Sequence, residues 1–434
     1  MMDVHNQPTV AAAAVASISI APGQPWRLRY WSIFVGQALS LIGSAMTQFV
    51  LMWWIADTTG SVAALASAGI AALLPQALLG PLGGIWADRY SRRVLMIVAD
   101  LISALCMVVL IALFLTGSIE LWHAYALMFV RSAMQAFQQP AAAASTAMLV
   151  PAHFLTRAAG LNQTLAGIMT VAAAPLGALA ISLMPMGYAL SIDVVTAVLG
   201  IVPLLIYAIP QHRVDKQDRA GLWTEFREGV ATVSNDRGLL WLYVMCGAVV
   251  LVILPTFALV PLLVKEHFNG GAPEVALIES VSGIGMIAGG ALIAALAPTK
   301  RVPWLIWGFS ASCFTVALAA IAPSDMFWLA IIAWGLSGLT YIAGNAPFMA
   351  LIQTRVPNQL QGRVLSLLTT IVGLAGPVGL ALTTPLGEMI GVRWLFFAIG
   401  IAGGIVPLLA YLSPAVRHMD DDAVEGVRTS VDRA

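Results

Sequence analysis

An all-α polytopic membrane protein of twelve crossing helices is the fold class this chain predicts, on three observations. Between Arg29 and Asp57 it runs 27 residues without an Asp, Glu, Lys or Arg, and comparable runs recur almost to the end. The composition is 60% hydrophobic and only 10% charged, whereas soluble domains carry roughly 25% charged residues. The basic residues, 21 in all, are placed very unevenly. A hydrocarbon core of about 30 Å takes roughly 20 helical residues to cross. In lipid every backbone polar group must be satisfied within the segment, so apolar runs of this length are helices.

The twelve stretches centre near residues 43, 74, 105, 133, 170, 199, 251, 286, 312, 340, 372 and 403. Arg27 and Arg29 precede the first span, and Arg89, Arg92 and Arg93 separate the second from the third. Arg157 opens the fifth, and Arg213, Lys216, Arg219, Arg227 and Arg237 lie between the sixth and seventh. Lys300 and Arg301 join the eighth to the ninth, Arg355 and Arg363 the tenth to the eleventh, and Arg417, Arg428 and Arg433 form the tail. That puts 18 of the 21 basic residues on one side, with Lys265 and Arg393 opposite and Arg131 inside the fourth span. An excess of Lys and Arg marks the cytoplasmic side, so both termini are expected there. An even span count demands the same. The expected location is the inner (plasma) membrane.

Residues 1–26 hold an apolar patch, Val10 to Ala21, which lacks the basic flank of a signal peptide; a disordered cytoplasmic leader is expected. Two six-helix bundles are expected over residues 27–210 and 239–413, with a cytoplasmic tail over 414–434. The polar stretch between them, 211–238, places Trp223, Phe226, Val230 and Val233 at helical spacing, with Glu225, Arg227 and Glu228 elsewhere on the wheel. It predicts a short amphipathic helix on the membrane surface. The halves echo each other: Gly160, Pro175 and Gly177 of the fifth span recur as Gly362, Pro377 and Gly379 of the eleventh. Internally repeated transporters place their substrate site near the midplane, between the halves.

The loop after the second span reads Gly84-Ile85-Trp86-Ala87-Asp88-Arg89-Tyr90-Ser91-Arg92-Arg93. Gly84 allows close helix approach there, and Asp88 can face a helix N-terminus, where the dipole favours an anion. The arginines can bridge to carboxylates and lipid head groups. Arg131 in the fourth span is followed by Gln135 and Gln138 on one helical face; an intramembrane arginine normally faces a partner or a wet cavity. The first span carries a polar stripe, Gln37, Ser40, Ser44 and Gln48, which favours a cavity over simple interhelical hydrogen bonding. Asn162 and Gln163 in the fifth span, and Tyr341 and Asn345 in the tenth, are further candidates for contact with a substrate.

Four carboxylates fall within spans: Asp100, Asp193, Glu279 and Glu388. A carboxyl group in low dielectric can take up and release a proton as its solvent access changes. Glu279, Asp193 and Asp100, with Arg131, are therefore the candidates for proton coupling. Asp100 has an alternative role as the neutralising partner of Arg131 or of a loop arginine, and Glu388 one as an interfacial residue. The cysteines, Cys106, Cys246 and Cys313, are scattered within spans and read as packing residues. No histidine pair has ligand spacing, so no metal site is expected.

The loop from Gly84 to Arg93 resembles the signature loop of the major facilitator superfamily, and Arg131 resembles the arginine of that superfamily's second motif, although Ala136 replaces its usual glycine. The Gly-Pro signature of drug/proton antiporters is degenerate in the fifth span, Ala174-Pro175; the intact Gly376-Pro377 lies in the eleventh. Tyr30 to Ser44, His267-Phe268-Asn269-Gly270 and Gly362 to Leu367 resemble macrolide-efflux-type facilitators, a branch that also holds siderophore exporters. The resemblance implies the major facilitator fold, two pseudo-symmetric bundles, and proton-driven export of bulky amphipathic molecules. Gly84, Asp88, Arg89, Arg92 and Arg93 would form the gating loop. The partners expected are a small-molecule substrate, protons and membrane lipid, with no nucleic acid, no cofactor beyond the proton gradient, and a monomer. Export of a siderophore or metabolite and uptake by symport are the rival transport readings. A polytopic enzyme would need a convergent catalytic cluster, and the sequence offers neither that nor a nucleotide-binding Gly-rich loop.

Overall fold

The computed structural model describes residues 26–209, 222–417 and 419–420. The expected leader, the first part of the connecting segment and most of the tail lie outside them. Among the described residues the regular structure is helical, with no strand. Six helices come first: α1 (Trp26–Thr59), α2 (Val62–Arg89), α3 (Arg92–Thr116), α4 (Leu121–Leu149), α5 (Leu155–Leu183) and α6 (Met186–Ile206). The short α7 (Leu222–Asn235) precedes α8 (Arg237–Phe268), α9 (Ala272–Leu296), α10 (Arg301–Ile321), α11 (Phe327–Arg355), α12 (Asn358–Ile390) and α13 (Val392–Ala410).

Eleven of these are long and apolar enough to cross a membrane. The twelfth, α4, has the length, 29 residues, but its inward face carries Arg131, Gln135, Gln138 and Gln139. It packs against α2 and α3, with Arg131 and Gln138 buried. The protein thus has the all-α, twelve-span architecture the sequence predicts.

Helix ends follow their local chemistry. Ser61 and Ser91 accept backbone N–H groups at the starts of α2 and α3, and Asp236 does so for α8, satisfying donors that lack an intrahelical partner. Gly391 alone turns α12 into α13, at φ +82°, a backbone that favours glycine.

Helices α1 to α6 pack mainly on one another: α2 on α4, α4 on α3, and α1 on α6 and α5. The later set repeats this, with α9 on α11, α11 on α10, and α8 on α13 and α12. The repeat extends to single residues. A side chain on Gly177 would strike Met46 O and Phe49 of α1; one on Gly379 would strike Leu251 O and Pro255 of α8. Likewise Arg92 at the start of α3 donates to Ala144 O of α4, and Arg301 at the start of α10 donates to Ala350 O of α11.

The sets meet chiefly through α2 with α12 and α5 with α9. The end of the molecule carrying residues 90, 236 and 300 is the basic end; the end carrying residues 60, 270 and 391 is the far end. At the far end one apolar cluster runs through both sets, joining Val50 and Leu65 to Leu259, Leu380 and Phe396. At the basic end the core divides, one part around Tyr30, Met96 and Leu204 and another around Leu242, Phe309 and Phe348. The predicted linker helix is present as α7. Its Val233 is buried in the second of these clusters and Glu228 pairs with Arg363 of α12, so one edge of it packs on protein. The side chains of Trp223, Glu225 and Phe226 lie outside the description.

Candidate functional site

A cavity of about 490 Å³ lies between the two sets, walled by α1, α2, α4 and α5 on one side and α8 and α9 on the other. Its polar groups are Ser44 and Gln48 of α1, Gln76 of α2, Arg131, Ser132 and Gln135 of α4, and Glu279 of α9. Phe49, Met52, Met128 and Phe257 supply apolar surface. A volume of this size suits a small molecule, and a mainly apolar lining with few converging polar groups is the usual make-up of ligand sites. Glu279 makes no hydrogen bond or ion pair with any described residue. Gln76 satisfies the same criterion as Gln48, a glutamine within an apolar span, and that criterion could have found it. Met52, Met128 and Phe257 carry no such signal, because apolar residues in apolar spans look alike whichever way they face.

Behind Arg131 the first set holds a buried polar network. Arg131 Nη2 donates to Asp193 Oδ2 at 2.7 Å, with both side chains buried, and Ser44 Oγ donates to Asp193 Oδ1 at 3.0 Å. Gln37 Nε2 donates to Asp100 Oδ2 at 3.1 Å and to Gly200 O at 3.2 Å. Gln138 Nε2 donates to Gln37 Oε1 at 2.7 Å. A void of about 30 Å³ lies among these groups, lined by Ser40, Asp100, Ser103 and Asp193, a volume close to that of one water molecule.

Several expectations are corrected here. Arg131 is neutralised by Asp193 of α6, not by Asp100; α3 presents Asp100 to Gln37 instead. The first-span stripe divides because α1 lies against α6 along its first half: Gln37 and Ser40 are buried within the set, Ser44 stands at the border, and only Gln48 lies wholly in the central cavity. Asn162 borders a different cavity. Gln163, Tyr341 and Asn345 line none of these spaces. Tyr341 packs on Phe309 instead, since α11 lies against α10. Glu388 caps α2, its Oε1 accepting from Ala63 N at 2.8 Å and Ser61 Oγ at 3.2 Å.

Most of the predicted loop is helical, its first residues closing α2 and its last opening α3; the close approach is made by Gly83 of α2, where a Cβ would meet Ala136 O at 1.8 Å, and Gly84 has nothing within 4 Å. Asp88 does not cap a helix but accepts from Arg92 at 3.3 Å. Arg93 donates to Leu204 O and Leu205 O, carbonyls left over at the end of α6, where a cation is favoured by the helix dipole. Arg89 is exposed.

Two polar links between the sets lie at the far end: Lys265 of α8 pairs with Asp57 of α1 at 3.0 Å, and Glu388 of α12 holds the start of α2 as above. A third, from Ser280 of α9 to Val171 O of α5 at 3.1 Å, lies at the level of the central cavity.

Two like six-helix sets around a midplane cavity define a membrane transport protein of the repeat-built class. The family model of the Major Facilitator Superfamily matches residues 33–380 and, again, 258–432; the chain belongs to this superfamily. It is 30% identical over 400 residues to macrolide efflux protein A of Streptococcus pyogenes, across 91% of this chain and 97% of that protein. It is 25% identical over 407 residues to the multidrug efflux pump Tap of Mycobacterium tuberculosis, across 89% and 94%. In fold it is similar to the crystal structure of a bacterial homologue of the iron transporter ferroportin in an inward-facing state, with a TM-score of 0.68 at 13% identity, across 92% of this chain and 100% of that one.

Proposed function

We propose that the protein exports bulky amphipathic small molecules, of the kind its macrolide- and multidrug-efflux relatives are named for, in exchange for protons by alternating access. The observation that carries this reading is the central cavity. It joins apolar and aromatic surface to a few amides and one unpaired carboxylate. It lies below a far end sealed by a continuous apolar core and by the Lys265–Asp57 pair, while the core at the basic end is divided. With the basic end cytoplasmic, this arrangement supports reading the state as inward-open, the one in which an exporter loads.

Glu279 is the proton site in this reading. Arg131 is already offset by Asp193, so Glu279 is the cavity's one uncompensated charge when ionised, and its proton would follow solvent access as the cavity opens and closes. Asp193 and Asp100 form the reserve of ionisable groups behind it. Gln48, Gln76 and Gln135 supply hydrogen bonds to cargo. In everted membrane vesicles, uptake across a panel of macrolides, dyes and siderophores should be greatest for macrolides or dyes and should collapse when an uncoupler dissipates the proton gradient with ATP maintained. Unchanged uptake under the uncoupler would sink the antiport, and uptake of siderophores alone would replace the substrate class.

A further inference from the structure

A second cavity, of about 340 Å³, lies wholly within the first set, nearer the basic end, between α1, α4 and α5. Both cavities are built on the same helices. On α1 the central one uses Ser44 to Met52 and the second uses Tyr30 to Leu41; on α4 the division falls between Gln135 and Gln138. Arg131, Asp193 and Asp100 lie behind α1 and α4 at the level between them, and Gln76 of the central cavity donates to Gln139 of the second at 2.8 Å. The second cavity's own lining is uncharged: Tyr30 and Phe34 offer aromatic surface, and Gln138, Gln139, Asn162 and Thr146 offer polar groups.

Its origin is a departure from the internal repeat. Gly177 against Met46 in the first set matches Gly379 against Leu251 in the second. Eight residues before Leu251 stands Tyr243, and fifteen before Gly379 stands Val364; Tyr243 Oη donates to Val364 O at 2.7 Å and closes the space between α8 and α12. The matching positions, eight before Met46 and fifteen before Gly177, are Ala38 and Asn162. A methyl group replaces a phenol, and both residues line the cavity. A second observation points to a ligand. The hydroxyl of Tyr30, a residue 2% exposed, has no hydrogen-bond partner, and such a group is costly to bury unpaired. The exposed Asn162 side chain makes no hydrogen bond to any described residue and is free to meet a ligand.

We infer that this cavity is a second small-molecule site, which takes an uncharged aromatic molecule or moiety with hydrogen-bonding groups, held by Tyr30, Gln139 and Asn162 on the basic side of Arg131 and Asp193. It extends the export reading by naming a place where a molecule binds before it reaches the central cavity, but binding there needs no gradient.

The test is saturation binding of N-phenyl-naphthylamine, an uncharged aromatic amine, to the full-length protein in lipid nanodiscs, with empty nanodiscs subtracted. Ala38→Tyr, which copies into the first set the side chain the second already accommodates, should remove one binding component and leave any other at its original affinity. Tyr30→Phe should weaken that same component about fivefold, the effect of one lost hydrogen bond. An isotherm unchanged by Ala38→Tyr overturns the proposal. If that variant loses all binding, Tyr30→Phe decides: a weakened component upholds the site and an unchanged isotherm overturns it. Absence of export by the unaltered protein, with both binding results as expected, would instead fault the export reading and leave the site standing.

Discussion

The two six-helix sets share a scaffold and differ in what they bury. The first set buries Arg131, Asp193, Gln37 and Gln138; the second buries, among described residues, the hydroxyls of Tyr243, Thr256, Ser282, Ser310, Ser312 and Ser337 and the indole N–H of Trp334, all uncharged. The first set ties α4 to α6 with a charged pair braced by Ser44; the second ties α11 to α10, with Ser312 and Ser337 sharing a hydrogen bond at 3.1 Å. Charge in a membrane interior is expensive and is retained where it does work. The first set thus holds the buried ion pair and its amides, and the second presents a mostly apolar wall to the cavity, with Glu279 on its surface. Yet Gly177 and Gly379, or Arg92 and Arg301, show that duplication of the scaffold survived this divergence.

Breaking the buried pair gives the largest expected effect. Asp193→Leu leaves the Arg131 guanidinium uncompensated and should cost about 3–5 kcal/mol, read as a clear fall in melting temperature of the purified protein. The double variant Arg131→Met, Asp193→Leu should recover most of that stability while transport stays lost. Ser337→Ala in the second set should cost roughly 1 kcal/mol or less. Equal losses at the two sites would erase the asymmetry.

A smaller effect is expected at the far end, where the sets are tied. Lys265 and Asp57 are partly exposed, and pairs of that kind contribute at most about 1 kcal/mol. Lys265→Gln should therefore leave melting nearly unchanged and shift the population closed at the far end no more than about fivefold, measured by distances between spin labels across that end. Complete loss of that closed state would mean that the apolar seal around Leu65 and Leu380 contributes less than its burial implies.

The smallest stability effect belongs to Asp88. Its pair with Arg92 bridges the break between α2 and α3 with Asp88 largely exposed and contributes about 0.5 kcal/mol or less, and the matching stretch of the second set, around Ala297, has no acid. Asp88→Asn should leave insertion and melting unchanged yet slow transport, if the loop governs closure as the family resemblance implies. Normal insertion with transport at the wild-type rate would remove that role.

Much of the fold was legible because crossing a membrane imposes a coarse rule on composition. The twelve spans, including the polar α4, and the repeat of Gly160, Pro175 and Gly177 could be read from runs and spacings. Placement within the site was less legible. A polar stripe states which residues share a face of α1, but not that α6 covers Gln37 and Ser40 while leaving Gln48 to the cavity. The partner of Arg131 could not be chosen between Asp100 and Asp193 without knowing which helix α4 faces. The same ignorance of neighbours gave the close approach to Gly84 when Gly83 meets α4. Ala38 carried no signal alone; its meaning comes from Tyr243 at the matching position of the other set.

The central claim is that the unpaired carboxylate on the second set's wall couples cargo to protons. Glu279→Gln mimics the protonated side chain and cannot release its proton. The decisive measurement is proton-gradient-driven uptake of a macrolide into everted vesicles by this variant, alongside equilibrium binding of the same macrolide. The account predicts that driven uptake is abolished while binding is retained within a few-fold. Driven uptake at the wild-type rate would contradict it, and the proton route would then have to run through Asp193 or Asp100.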